Sequence, residues 1–134
     1  MPMTHLRLAT LSMCALLAVV ISAAADDKKT IADKVYSTAQ ADRGEARFKT
    51  SCSSCHTPSS FSGGAFAERW SGQTMAAPFD FVSNAMPEND PGSLKAEEYV
   101  SVLAFMLRVN GYPAGDAELP TDPASLKQIA IDTK

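Results

Sequence analysis

The pentapeptide Cys52-Ser53-Ser54-Cys55-His56 puts two thiols and an imidazole into a single turn of chain. C-x-x-C-H is the spacing by which a haem is attached through two thioethers and then ligated at iron by the following histidine. Two cysteines three apart on a helical turn reach the two vinyl-derived carbons on one edge of the macrocycle. The next residue then projects its ring under the iron. The 134 residues contain three cysteines and two histidines. Beyond residue 25 only Cys52, Cys55 and His56 remain, so every soft or imidazole ligand of the mature chain lies in this pentapeptide.

Three other chemistries use the same residue types. A zinc site needs four ligands, and a carboxylate would have to complete the three present. A thioredoxin-like pair opens a helix in a βαβ unit, and no strand precedes this one. A structural disulfide suits an oxidising compartment but has no use for His56. Covalent haem accounts for motif, export signal and helical pattern together.

A second axial ligand has to come from elsewhere. With no second histidine after residue 25, bis-histidine ligation within one chain is excluded, and three methionines remain. Met106 falls on the apolar face of a long helix, where packing explains it. Met75 follows Gly72-Gln73-Thr74 at the expected end of a short helix. Met86 ends a helical stretch, and Pro87 sets an extended course just after it. A loop methionine can aim its thioether at iron, so Met86 is assigned as the sixth ligand.

The elements that must position these groups are helices. Ser37-x-x-Gln40 is a capping-box pattern that opens a helix over Thr38 to Thr50. Gly44 interrupts that helix, either as a tolerated surface glycine or as the place where another helix approaches, with Phe48 one turn on. Thr57 to Gly64 is rich in Pro, Ser and Gly and reads as a loop. Ala65 to Gln73 and Phe79 to Ala85 are short helical candidates. The strongest helix is Ala96 to Asn110, where Tyr99, Val102, Leu103, Met106 and Leu107 follow the spacing of a buried face. Val100, Phe105 and Val109 widen that face, and Asn110-Gly111 forms the stop. Residues 112 to 120 should be extended. Asp122-Pro123 then opens a short terminal helix with Leu126, Ile129 and Ala130 on one side. Residues 26 to 35 are polar and charged and read as a flexible leader. No alternating strand pattern of useful length occurs, so the fold class is all-α.

Residues 1–25 read as a signal peptide. Leu8 to Ile21 is apolar but short of a comfortable span of about 20 residues. Ser22-Ala23-Ala24-Ala25 supplies a cleavage site after Ala25, with Ala24 as second choice. Met13 is too large for the position before a lipidated Cys14. The expected product is periplasmic, without stable membrane insertion. Its 109 residues, 134 less 25, make one domain over 26–134. Removing Arg7 leaves 11 basic and 15 acidic residues, a formal charge of −4. No basic patch with interleaved aromatics occurs, which argues against nucleic acid as a partner.

The chain resembles the class I c-type cytochromes over nearly the whole mature sequence. Tyr36 through Phe48, with Gln40-Ala41 and Gly44, is similar to the family's N-terminal helix, and Met86-Pro87 to its axial-methionine loop. Glu98-Tyr99 through Phe105 is similar to the C-terminal helix that crosses the first. The resemblance implies that the crossing is at Gly44, with Val102 and Phe105 as partners, around one covalently bound haem. A narrower resemblance joins it to small cytochromes that serve periplasmic quinoprotein dehydrogenases. Phe66-Ala67-Glu68-Arg69-Trp70, Gly72-x-Thr74, Pro91-Gly92-Ser93-Leu94 and Asn110-Gly111-Tyr112-Pro113-Ala114-Gly115 carry it. It implies redox partners, a dehydrogenase as donor and an oxidase or another cytochrome as acceptor, for a monomer or a subunit of a dehydrogenase complex. It also implies that Trp70 hydrogen-bonds a propionate; the alternative is a core indole. Ser59 to Ala65 is shorter than the corresponding family loop, which puts in question the carbonyl that orients His56.

Histidine plus methionine saturates iron and raises its potential, which suits a single-electron carrier and not an enzyme. The rival is a haem enzyme or gas-binding protein with an open or labile sixth position. Arg43, Arg47, Arg69 and Arg108 are the mature arginines, and none is paired with a distal histidine.

Overall fold

The computed structural model describes residues 28–133. The signal peptide expected over residues 1–25, with Cys14, lies outside the described residues. In order, the elements are β1 (Lys29–Thr30), α1 (Thr38–Ser51), a 3-10 turn (Pro58–Phe61), α2 (Gly64–Trp70), α3 (Ala76–Ala85), α4 (Ala96–Val109), α5 (Pro123–Leu126) and β2 (Ile129–Ala130). The described residues are all-α apart from one two-stranded sheet.

The helix α1 starts where Ser37 Oγ accepts from the Gln40 amide at 3.0 Å. Only half of the expected capping box forms. The Gln40 side chain is 2% exposed and turns inward, away from the Ser37 amide. Its Nε2 donates to the Leu119 carbonyl at 3.1 Å, and its Oε1 accepts from the Leu119 amide at 2.8 Å. A buried amide left unpaired costs about 1–3 kcal/mol, so the tail that satisfies it is fixed against α1.

At Gly44, α1 crosses α4. A Cβ built there would lie 1.8 Å from the Ser101 carbonyl oxygen and 3.0 Å from Phe105 Cβ. Phe105 is the expected partner. The other is the backbone of Ser101, one residue from the expected Val102, whose side chain borders a cavity. Phe48 stands beside the crossing, its ring 5.4 Å from those of Phe105 and Phe61.

Burial runs without a break in α4 from Tyr99 to Leu107, because α1 covers one side and α3 another. Burying a leucine such as Leu103 or Leu107 contributes about 1.5–3 kcal/mol each. The helix opens with the Lys95 amide donating to Glu98 Oε2 at 2.9 Å. It stops as expected at Asn110-Gly111. Gly111 takes φ +78, its amide donates to the Arg108 carbonyl, and the Tyr112 amide reaches back to the Leu107 carbonyl.

The ends of the chain depart from expectation. From Lys28 onward the leader expected to be flexible belongs to the fold. β1 pairs in parallel with β2, the Ile31 amide donates to the Ala130 carbonyl at 3.0 Å, and Ile31 is fully buried. The terminal helix holds Leu126 alone of its three expected apolar residues, because Ile129 and Ala130 form β2. β2 also lies along residues 72–75: the Met75 amide donates to the Ile129 carbonyl at 2.9 Å and the Ile131 amide to the Gln73 carbonyl at 2.8 Å. That pairing ends α2 at Trp70, short of the expected Gln73, since Gly72 takes φ +76 and donates to the Ile131 carbonyl. α3 starts at Ala76, three residues before the expected Phe79, with Pro78 in its first turn, where a missing amide costs nothing. The expected loop after Thr57 contains the 3-10 turn, with Pro58 at its first position.

Candidate functional site

The elements enclose a cavity of about 780 Å³ whose walls come from α1, the turns after it, α2, α3, the loop that follows and α4. The end of α1 and the turn after it contribute Phe48, Cys52, Cys55 and His56. α2 contributes Arg69 and Trp70, α3 Phe81 and Val82, the following loop Met86 and Pro87, and α4 Tyr99, Val102 and Met106.

The pentapeptide continues α1 as a tightened turn. The Cys52 and Ser53 amides both donate to the Phe48 carbonyl, at 2.9 and 3.0 Å, and the His56 amide donates to the Cys52 carbonyl at 2.9 Å. No disulfide joins Cys52 and Cys55. Burial pushes the Cys52 thiol above its usual value, and the Arg47 charge opposes that shift. Among the described residues no three His, Cys, Asp or Glu side chains are grouped to hold a metal ion by themselves, so the zinc alternative has no ligand set.

The three methionines separate clearly. Met86 caps α3 in an extended conformation and lines the cavity, with its amide donating to the Val82 carbonyl at 3.0 Å. Its carbonyl accepts from the Tyr99 hydroxyl at 2.7 Å, and the Met86–Pro87 peptide is cis. Met75 stands at the start of α3, not the end of α2. It is 1% exposed in the core and does not line the cavity. Met106 packs in α4 as expected, and one side of it also borders the cavity.

Trp70 is buried and lines the cavity, so the core-indole alternative covers only part of its surroundings. Among the described residues no protein acceptor takes its indole N–H. Nor does any carbonyl accept from the His56 ring, so the question raised by the short loop stands for the protein alone. That loop is held by Asn110, read from sequence only as a helix stop. Its Oδ1 accepts from the Gly63 amide at 2.9 Å and its Nδ2 donates to the Phe61 carbonyl at 3.1 Å.

Sequence reasoning missed three further features here. Tyr99 was read as a buried face residue, and its hydroxyl ties the Met86 loop to α4. Among the described residues Phe81 is the large apolar side chain left exposed, at 36%. Arg69 lies over the rings of Phe81 and Trp70. The signal available for the last was an arginine beside a tryptophan, which by itself places neither.

Two thiols, an imidazole and a thioether on the wall of one largely apolar cavity fit a covalently held haem. An all-α domain built around such a cavity, with its first and penultimate helices crossing at a glycine, is a c-type cytochrome. The family model described as cytochrome c oxidase, cbb3-type, subunit III matches residues 39–106, and the chain belongs to that family. The match runs from the second residue of α1 into the last turn of α4 and includes all four side chains just named. The group this family's domain binds is haem c. No curated protein and no solved structure matches the chain significantly.

Proposed function

We propose that the protein is an exported, periplasmic carrier of single electrons, with one haem attached through Cys52 and Cys55 and its iron ligated by His56 and Met86. The observation that carries this reading is that Met86, thirty residues beyond His56, lines the same cavity and has its carbonyl pinned by Tyr99. When bound, haem supplies an iron that alternates between ferrous and ferric states.

The chain's own residues do the rest. Cys52 and Cys55 would hold the group at one edge, and His56 and Met86 would ligate its iron in both redox states, so that little need rearrange as an electron moves. No position is then left for a substrate, which separates this reading from a haem enzyme. Phe48, Phe61, Val82 and Val102 keep water from the ring. Trp70, its N–H free of protein acceptors, supplies a donor for a propionate. Tyr99 holds the Met86 backbone at the end of α3.

Electrons would come from a dehydrogenase and pass to an oxidase or a second cytochrome. The family description supports the oxidase side, because its name is that of an oxidase subunit. Among the described residues no helix is long and apolar enough to cross a membrane. Export rests on residues 1–25, and the mass of the exported protein should show a new start at residue 26 or 25 plus one haem.

The deciding experiment joins spectra to extraction. Haem that resists acid–acetone, a weak long-wavelength band in the oxidised protein and no rapid carbon monoxide binding when reduced are the expected results. Extractable haem would overturn the attachment. Rapid carbon monoxide binding would favour the open-site rival.

A further inference from the structure

Four arginines fall among the described residues, and three are paired with carboxylates. Arg43 meets Glu118 at 2.7 Å, Arg47 meets Glu98, and Arg108 meets Asp42 at 2.5 Å and Glu45 at 2.6 Å. Arg69 has no carboxylate within ion-pair distance among the described residues. Its guanidinium lies over aromatic rings instead, 4.1 Å from the centre of Phe81 and 5.0 Å from that of Trp70. Those two rings are themselves 6.0 Å apart.

An exposed arginine keeps about 2 kcal/mol of rotamer freedom unless something holds it. Here two rings hold it, and they hold it at the cavity. Among the described residues Arg69 is the one Lys or Arg side chain lining that cavity; the other Asp, Glu, Lys or Arg side chains there are the carboxylates Glu68 and Glu88. A guanidinium stacked by its face on a ring keeps its in-plane N–H donors free. A fork of such donors matches a carboxylate in a bidentate pair. A haem fixed at one edge by thioethers presents two carboxylates at the other.

We propose that Arg69 is a positioning residue for the haem, the counter-ion of a propionate, held in place by Phe81 and Trp70. This deepens the haem reading above and rests on it. The exposure of Phe81 follows: the ring serves as a platform for the guanidinium, at the rim and not in the core. A fixed positive charge at this edge disfavours the ferric state and raises the reduction potential.

The test is the potential of the holoprotein for the wild type, Arg69→Gln, Arg69→Lys and the control Arg43→Gln. The control removes the same charge from α1, away from the cavity. At a fixed ambient potential, Arg69→Gln should shift the ferric-to-ferrous ratio two- to tenfold toward ferric, up to about 59 mV. Arg69→Lys, which keeps the charge and loses the fork, should shift it less. An Arg69→Gln shift no larger than that of Arg43→Gln overturns the proposal. Should Arg69→Gln give no holoprotein, Arg69→Lys read against Arg43→Lys decides in the same way. A wild type without thioether-linked haem would sink the parent reading. A haem-loaded wild type with an indifferent Arg69 would sink this one alone.

Discussion

The Tyr99 hydroxyl donates to the Met86 carbonyl at 2.7 Å, joining the middle of the core to the end of the loop that presents the thioether. The Leu94 amide donates to the same hydroxyl at 3.4 Å, so a single phenol oxygen closes both ends of the segment between α3 and α4. Tyr99 is buried and cannot follow the loop if it moves.

Tyr99→Phe removes that tie with little change of shape. Global stability should fall by about 1 kcal/mol, the usual net value of one hydrogen bond. The larger effect should be local: faster carbon monoxide binding by the reduced protein, as Met86 leaves more often. Stopped-flow binding against the wild type measures it, and unchanged kinetics would remove Tyr99 from the account of the loop.

Met86→Ala should abolish the long-wavelength band of the oxidised protein, lower the potential and admit cyanide. Met75→Ala and Met106→Ala should keep the band and lose about 2–5 kcal/mol of stability, because both side chains are buried. A band that survives Met86→Ala and vanishes in Met106→Ala would move the ligand to α4.

Gly44→Ala should be among the most damaging single changes. The added methyl would lie 1.8 Å from the Ser101 oxygen, a backbone atom that cannot swing aside. Separating α1 from α4 costs at least the roughly 1–3 kcal/mol of ordinary overpacking and loosens the wall that carries Phe48. Holoprotein yield and thermal unfolding would show it; an unchanged melting temperature would mean the helices cross elsewhere.

Glu118 gives a pH-dependent test of the tail. Its carboxylate accepts from Arg43 at 2.7 Å and from the Ser37 hydroxyl at 3.1 Å, and the Arg43 bond above all holds its pKa below the usual range. With the folded value depressed, the stabilisation is present above the unfolded value of about 4.3 and is lost as pH falls through the folded one. Glu118→Gln should therefore lower the melting temperature near neutral pH. The difference should vanish near about pH 2, where the wild-type carboxyl is protonated as well.

Local pattern explains what the sequence disclosed. The pentapeptide and the uninterrupted burial of α4 each need only neighbouring residues to be read, whereas Gly44 reads two ways until the resemblance places a crossing there. The Ser37–Gln40 pair shows where that ends: Ser37 caps as its spacing says, but Gln40 answers to Leu119, far along the chain. The strands fail for a related reason, since two-residue strands have no periodicity to detect. Arg69 is harder still, because its place depends on Phe81 in another helix and on the absence of a nearby carboxylate.

The pairing of β1 with β2 sets an order of events. Ile31 is synthesised about a hundred residues before its backbone partner Ala130. The core beneath them cannot close until Ala130 has been made. Seated between β1 and residues 72–75, β2 closes the fold over Ile31 as a latch.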